Sequence, residues 1–393
     1  MLCYIAYPTS LTLQSANALQ TYTTLRELRQ RRPETMALIA RWHGGPSRFA
    51  DLDAIHLPRP AIGRFSRFYR SSLWYYLEYS TFAWMCLPFV LAKKVQAIYV
   101  RQNICAAWWS SVLGPRLGIP VIYEAHDIEL RNPSRAKEPW AQGFVHLIDR
   151  AALTRSTAVV SLTDAFRHYL ATTGWRDPSD VFVIPDAYDD TIFTPQERAT
   201  CRAQMGLPQD ADIIAYAGMT FAHRWLDGLL EAAATLLPAY PRLLLVLVGG
   251  LPKEIAQLRQ QAEQMGIANH VILPGPHAQR QVVTYLGAAN VLVIPDTLTD
   301  TTASPLKMFE YLALGHPLVM PDLAALAEIV PRELAHTFPR RHVEGLRQAL
   351  AAALEQGDTP AERTARYTLA SQHTYGRRAD RILEVVDRVT RQK

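Results

Sequence analysis

The strongest constraint on the fold of this chain is an alternation that runs through it twice. In the first half, short apolar runs predict strands at Leu2–Tyr7, Met36–Ala40, Gln96–Arg101, Pro120–Ala125 and Ala158–Leu162. Stretches with helical spacing lie between them, beginning with Ala18–Arg32. Continuous apolar strands separated by helices imply a parallel sheet covered on both faces. The segment Asp186–Asp210 breaks the pattern: it is polar, follows Pro185, and carries Pro195 and Pro208. The alternation then restarts with runs at Asp212–Gly218, Arg242–Gly250, His270–Gly275, Asn290–Asp296 and Pro317–Asp322, and a last helix is expected over Arg377–Arg391.

The expected architecture is therefore α/β, with two Rossmann-like doubly wound domains facing across a cleft. The boundaries are 1–185, 186–375, and a terminal helix over 376–393 that packs back on the first domain. A length of 393 residues suits two cores better than one. Sheets of this kind bind ligands outside the carboxyl ends of their strands.

Other classes are disfavoured. Cys3, Cys86, Cys105 and Cys201 show no paired spacing, which argues against a disulfide framework or zinc knuckle and fits a reducing compartment. No secretory leader is evident, and the longest apolar stretch, Thr81–Ala92, is broken by Pro88 and short of a membrane span. A cytoplasmic location is expected. The formal charge of +5 is dispersed and no nucleic-acid module is present, so no nucleic-acid partner is expected.

The segment Asp300–Asp322, DTTASPLKMFEYLALGHPLVMPD, reads as a loop, a helix from Pro305 to Leu314, a Gly315 stop and a strand. The start of that helix offers unpaired backbone N–H groups and the positive end of a dipole, a ready anion site. Lys307 lies in its first turn and Glu310 three residues later on the same side. A solvated Lys–Glu pair is the plainer account of those two residues taken alone.

This segment resembles the SPxKxxEYxAxGxPVV signature of the family-4 retaining glycosyltransferases, whose fold is GT-B. Further segments match in order. IAYAGMTFAHRWLDGLLEA (Ile214–Ala232) is similar to the family's YxGxxxxxKGxDxLxEA stretch, with Arg224 at the usual lysine and Trp225 at the usual glycine. VIPDAYDDTIFTP (Val183–Pro195), the stretch from Ile98 to Asp127 ending in EAHD, and SANALQTYTTLREL (Ser15–Leu28) resemble three more. The Gly-Gly loop that many members use near the acceptor is absent, with Thr9–Leu13 in its place.

The resemblance implies transfer of a sugar from a nucleotide diphosphate-sugar, with retention and without a metal. Glu310 matches the residue holding the ribose hydroxyls. Backbone amides near Leu306 and Lys307 match those meeting the diphosphate, and Arg224 the cation that neutralises it. Gly218 and Met219 stand where the backbone passes the phosphates, Ser304 and Pro305 at the helix start, and Pro274 and Gly275 near the base. His126 matches a histidine beside the transferred sugar. The implied catalytic residues are His126, Arg224 and Lys307. A tight turn, a solvated helix start and a structural histidine account for Gly218, Arg224 and His126 equally when each is read alone.

One departure concerns the donor sugar. The glutamate that many members carry eight positions before Glu310 is Thr302 here, leaving Thr302 and Asp300 to approach the sugar. Asp51–Asp53 and Asp189–Asp190 read as surface acidic loops, not metal sites. The acceptor is not named by the sequence. Arg59, Arg64, Arg67 and Arg70 lead into the aromatic run Leu73–Trp84, with Lys93 and Lys94 beyond, which suits a peripheral membrane contact on the inner face and a lipid-linked acceptor. A core-facing helix with solvated arginines explains the same residues. An epimerase of GT-B fold and a non-catalytic binding subunit are the alternative functions.

Overall fold

The structure, a computed structural model, describes residues 1–13, 15–41, 45–58, 72–126, 128–129, 139–297 and 304–391. It divides into two compact units, Met1–Pro185 with Tyr375–Lys393, and Asp186–Thr374.

The first unit holds seven parallel strands: β1 Leu2–Ala6, β2 Met36–Arg41, β3 Ile55–Pro58, β4 Ala97–Val100, β5 Val121–Ala125, β6 Ala158–Ser161 and β7 Val181–Val183. Their order is β3-β2-β1-β4-β5-β6-β7. Its helices are α1 Ala16–Arg31, α2 Ser72–Met85, α3 Leu87–Ala92, α4 Asn103–Trp108, α5 Gly114–Leu117, α6 Gln142–Arg155 and α7 Asp164–Thr172.

The second unit holds six parallel strands: β8 Asp212–Ala217, β9 Leu243–Val248, β10 Val271–Gly275, β11 Val291–Val293, β12 Leu318–Pro321 and β13 His336–Phe338, in the order β10-β9-β8-β11-β12-β13. Its helices are α8 Arg198–Met205, α9 Leu226–Leu236, α10 Pro252–Gln264, α11 Gln279–Gly287, α12 Leu306–Leu314, α13 Ala324–Ala327, α14 Val343–Gln356 and α15 Pro360–Ser371. The chain then returns to the first unit as α16, Tyr375–Arg391.

Side-chain alternation explains why each sheet carries two cores. Cys3 and Ile5 face one side of β1, where they pack with Val100, Trp109 and Tyr123. Leu2, Tyr4 and Ala6 face the other, against Leu25 and Leu28 of α1 and Ile382, Val385, Val386 and Val389 of α16. The second sheet is covered likewise, by α12 on one face and by α9 and α14 on the other. The four cysteines are buried and unpaired. Asp51 and Asp53 are exposed, whereas Asp189 is buried and accepts from the Thr191 amide at 3.1 Å. Asp189 is thus the N-terminal anchor of a turn, not the surface acid expected from its polar surroundings. Among the described residues, no helix is long and apolar enough to cross a membrane.

Both strand orders reverse at one point, between β1 and β4 and between β8 and β11. There neighbouring connections run to opposite faces and open a crevice at the carboxyl ends of the strands. His126 follows β5, Gly218 follows β8, and Asp296 lies just beyond β11.

Candidate functional site

In the second unit the site is built where β8 ends. Gly218 has φ +144, a conformation that a side chain disfavours, and its N–H donates to Val248 O at 2.9 Å. Gly249 and Gly250, with φ +110 and +89, follow β9 beside it. The phenolic O–H of Tyr216 donates to Met219 O at 2.6 Å and so fixes the next turn of chain.

Helix α12 faces this loop. Pro305 is its N-cap and supplies no side-chain cap, so the first amides lack that usual acceptor. Gly315 ends the helix with φ +78. Tyr311 ties it to the sheet, its phenolic oxygen accepting from the Ala217 amide at 2.7 Å. Ser304, just ahead of the helix, accepts from the Asp186 amide at 3.1 Å.

This frame carries Lys307 inward. Its side chain is buried, and its Nζ sits 3.9 Å from the centre of the Tyr216 ring with no hydrogen-bond partner among the described residues. A ring face attracts a cation but does not replace the hydrogen bonds an ammonium loses on burial. Burial first, and then the nearby Arg224, push the Lys307 pKa well below its ordinary value, while Glu310 opposes them. Burial also pushes the Glu310 carboxyl up to about 7, with Lys307 pulling the other way. Arg224 ends a short 3-10 turn, Ala222–Arg224, and its Nε is likewise buried without an acceptor. The loop therefore brings together two basic side chains, each with a buried nitrogen that has no hydrogen-bond partner among the described residues.

Trp225 takes the left-handed conformation, with φ 55, and caps α9. Its indole lies over Gly228, where a Cβ would enter the ring, and stacks near Phe338 at 6.4 Å. The bulk at this position packs against α9 and β13.

Four further groups were not singled out in the sequence. Asp296 is fully buried and pairs with Arg340 and Arg341, each at 2.7 Å. His223 is pushed below its ordinary pKa by burial and then by Arg224, with Lys307 and Arg341 adding to it and Asp296 opposing. The strand-end position of Asp296 was a usable signal; the two arginines had none, because β13 carries no continuous apolar run. Pro274 and Gly275 end the edge strand β10, and Gly275 O accepts from the Gly249 amide at 2.9 Å. Asp300 and Thr302 lie outside the described residues.

His126 belongs to the first unit. Its Nε2 stands 2.7 Å from Glu124 Oε1 and 3.1 Å from Arg101 Nη2, and about a third of its side chain is exposed.

Among the described residues, no three His, Cys, Asp or Glu side chains gather as a metal site.

Two family models match the chain. Residues 197–368 match the glycosyl transferases group 1 model, and residues 18–187 match a glycosyl transferase 4-like domain. Among curated proteins, the D-inositol 3-phosphate glycosyltransferase of Stackebrandtia nassauensis is 29% identical over 293 residues, covering 71% of this chain and 64% of that protein. The same-named protein of a Nocardioides species is 29% identical over 299 residues, covering 67% and 64%. The chain thus spans a little under two thirds of these relatives. Among solved structures, a glycosyltransferase from Rickettsia africae superposes with a TM-score of 0.74 at 12% identity, covering 100% of this chain and 99% of that one. Anabaena HepE, solved in complex with UDP, gives 0.74 at 15% identity, covering 98% and 99%. These structures share the GT-B α/β fold. Between them the two family models account for most of the chain, and it belongs to the group 1 glycosyltransferases.

Proposed function

We propose that this protein transfers a sugar from a nucleotide diphosphate-sugar to an acceptor hydroxyl, with retention at the anomeric carbon. The observation that carries the reading is Lys307, a buried basic group with no acceptor among the described residues, beside Arg224 and a helix start without a side-chain cap. An anion with several acceptor oxygens would satisfy all three, as a diphosphate does. In this reading Arg224, Lys307 and the amides of Leu306 and Lys307 take the charge of the departing diphosphate, which is the main catalytic effect and needs no metal. Glu310 holds the ribose hydroxyls. Met219 and the bare backbone of Gly218 border the phosphates, Ser304 and Pro305 shape the helix start, and Pro274 and Gly275 meet the base. Asp300 and Thr302 approach the sugar, and His126 lies beside it.

The bond from the anomeric carbon to phosphate oxygen breaks as the bond to the acceptor oxygen forms on the same face. The acceptor's proton passes to the leaving phosphate. HepE, solved with UDP and with UDP-glucose, makes uridine diphosphate-sugars the first donors to try. The names of the curated relatives make phosphorylated polyols the first acceptors.

A peripheral membrane contact is part of the proposal, on a face of the first unit. Leu77, Trp84, Leu91, Trp140, Phe144 and Leu147 are large apolar side chains exposed there on or beside α2, α3 and α6. Phe144, Leu147 and Trp108 line a cavity of about 640 Å³ together with Arg150 and Arg155. The two acids of α2–α6, Glu78 and Asp149, are buried, while Lys93, Lys94, Arg150 and Arg155 are exposed. Apolar surface beside exposed basic side chains suits anionic lipid. Residues 59–71, where the arginine-rich part of the expected patch falls, lie outside the described residues.

The test is thermal stability with uridine, guanosine and adenosine diphosphates and their sugars, on the wild type and on Arg224→Ala and Lys307→Met. A ligand selective for the native state raises apparent stability. The expected result is stabilisation by a nucleoside diphosphate that both variants lose; an equal response in all three proteins overturns the assignment. Binding without sugar hydrolysis or transfer across the panel favours the non-catalytic subunit.

A further inference from the structure

The buried network behind His126 reaches into the last helix of the chain. Glu124, at the end of β5, is fully buried. Its Oε1 accepts from Arg101 Nε at 2.9 Å and lies 2.7 Å from His126 Nε2. Its Oε2 accepts from the Tyr99 phenol and lies 2.9 Å from Arg378 Nη2, in the first turns of α16. The carboxylate thus accepts from Tyr99 and Arg101, faces the His126 ring nitrogen and is ion-paired with Arg378. Arg378 is itself buried, and its Nε donates to Pro185 O at 3.2 Å. Arg101 is further held by Gln20 and Thr21 of α1.

The two neighbours of His126 Nε2 cannot both be served. An ionised carboxylate only accepts and a guanidinium only donates. If Nε2 accepted from Arg101, its lone pair would face a carboxylate oxygen 2.7 Å away. If Nε2 carries the proton, that shorter contact becomes a charge-assisted hydrogen bond, and Arg101 Nη2 keeps its bond to Gln20. Burial alone opposes ionisation of Glu124, but Arg378, Arg101 and the His126 contact hold it well below the ordinary carboxylate range. The hydrogen bond at one ring nitrogen decides the role of the other.

We propose that Glu124, clamped between Arg101 and Arg378, is a positioning residue that fixes His126 as the Nε2–H form and presents Nδ1 as the ring's acceptor. The role beside the sugar rests on the transfer reading above; the tautomer does not. By this arrangement the C-terminal helix, far from His126 in sequence, helps aim it.

The test is NMR on 15N-labelled full-length protein without substrate, with His126→Gln to assign the ring signals. In the wild type, Nε2 should bear a slowly exchanging, downfield proton and Nδ1 should carry none. Glu124→Asp keeps the charge between the arginines but draws the oxygens back by one methylene, so this proton should broaden beyond detection. Glu124→Gln is the second variant, and Arg378→Gln should weaken the signal if the clamp includes α16. A proton on Nδ1, or a signal unchanged in both Glu124 variants, overturns the proposal. Where transfer is measurable, Glu124→Asp should lower kcat at least about tenfold with donor KM little changed, as loss of a histidine's orienting acid does. The proton signature without any transfer supports the positioning role and removes the transfer reading.

Discussion

Lys307 and Gly218 occupy adjoining space: a Cβ on Gly218 would stand 2.9 Å from the Lys307 ammonium. The missing side chain and the buried cation are one feature. Gly218→Ala would both strain a backbone at φ +144 and displace the ammonium from above the Tyr216 ring. The expected result is a loss of about 1–3 kcal/mol in stability by denaturant unfolding, together with loss of stabilisation by nucleoside diphosphates. A variant that still responds to them as the wild type does would separate the glycine from the site.

Proton uptake should accompany anion binding. Lys307 has its pKa well below the usual value in the ligand-free protein, from burial and then Arg224. An anion at that ammonium favours its charged form and restores the proton. Calorimetry of nucleoside diphosphate binding near pH 8, in HEPES and in Tris, should therefore give enthalpies that differ with buffer ionisation heat in the direction of uptake. Lys307→Met should abolish the difference.

Stability without ligand should depend on pH through the same pair, with opposite signs. Glu310 titrates at 4.5 when unperturbed and at about 7 when folded, so the folded state holds its proton in that window and stability falls as pH rises from 4.5 to 7. Lys307 is lowered in the folded state, so the unfolded chain binds more protons below 10.5 and stability rises as pH climbs toward that value. Urea midpoints across pH should show the first slope vanish in Glu310→Gln and the second in Lys307→Met.

Trp225 and Gly228 should behave as a coupled pair. Gly228→Ala drives a methyl group into the Trp225 indole and is expected to cost about 1–3 kcal/mol, as overpacking does. In a Trp225→Gly background the same change should cost much less, since the ring is gone. A double-mutant cycle by chemical denaturation measures the coupling. Additive effects would mean that the indole does not rest where it is seen.

The interior of both sheets was legible because strands buried on two faces read as unbroken apolar runs. The three strands that were not foreseen, β3, β7 and β13, are all at sheet edges. Each is short and only partly buried, and IHLP, VFV and HTF do not stand out from loop. The same physics divides the site. Lys307, Glu310 and the start of α12 lie within a few residues of one another, so spacing places them together. The pairing of Asp296 with Arg340 and Arg341 depends on β13 being a strand, and the meeting of Glu124 with Arg378 depends on a helix at the far end of the chain returning to the first sheet. No local pattern carries either. Trp225 shows the reverse case: its departure from glycine was visible, but the empty space at Gly228 that accommodates the ring became apparent only in three dimensions.

Helix α16 covers the apolar face over β1 and β4 and answers the charge of Glu124, yet it follows the rest of its unit in the chain, with the whole second unit between. A ribosome adding about 5–20 residues per second therefore releases the first seven strands well before the piece that completes their core. Until then the nascent sheet presents an apolar face that only α1 covers and a buried acid short of one partner, so chaperone occupancy of the emerging chain should persist until α16 has emerged.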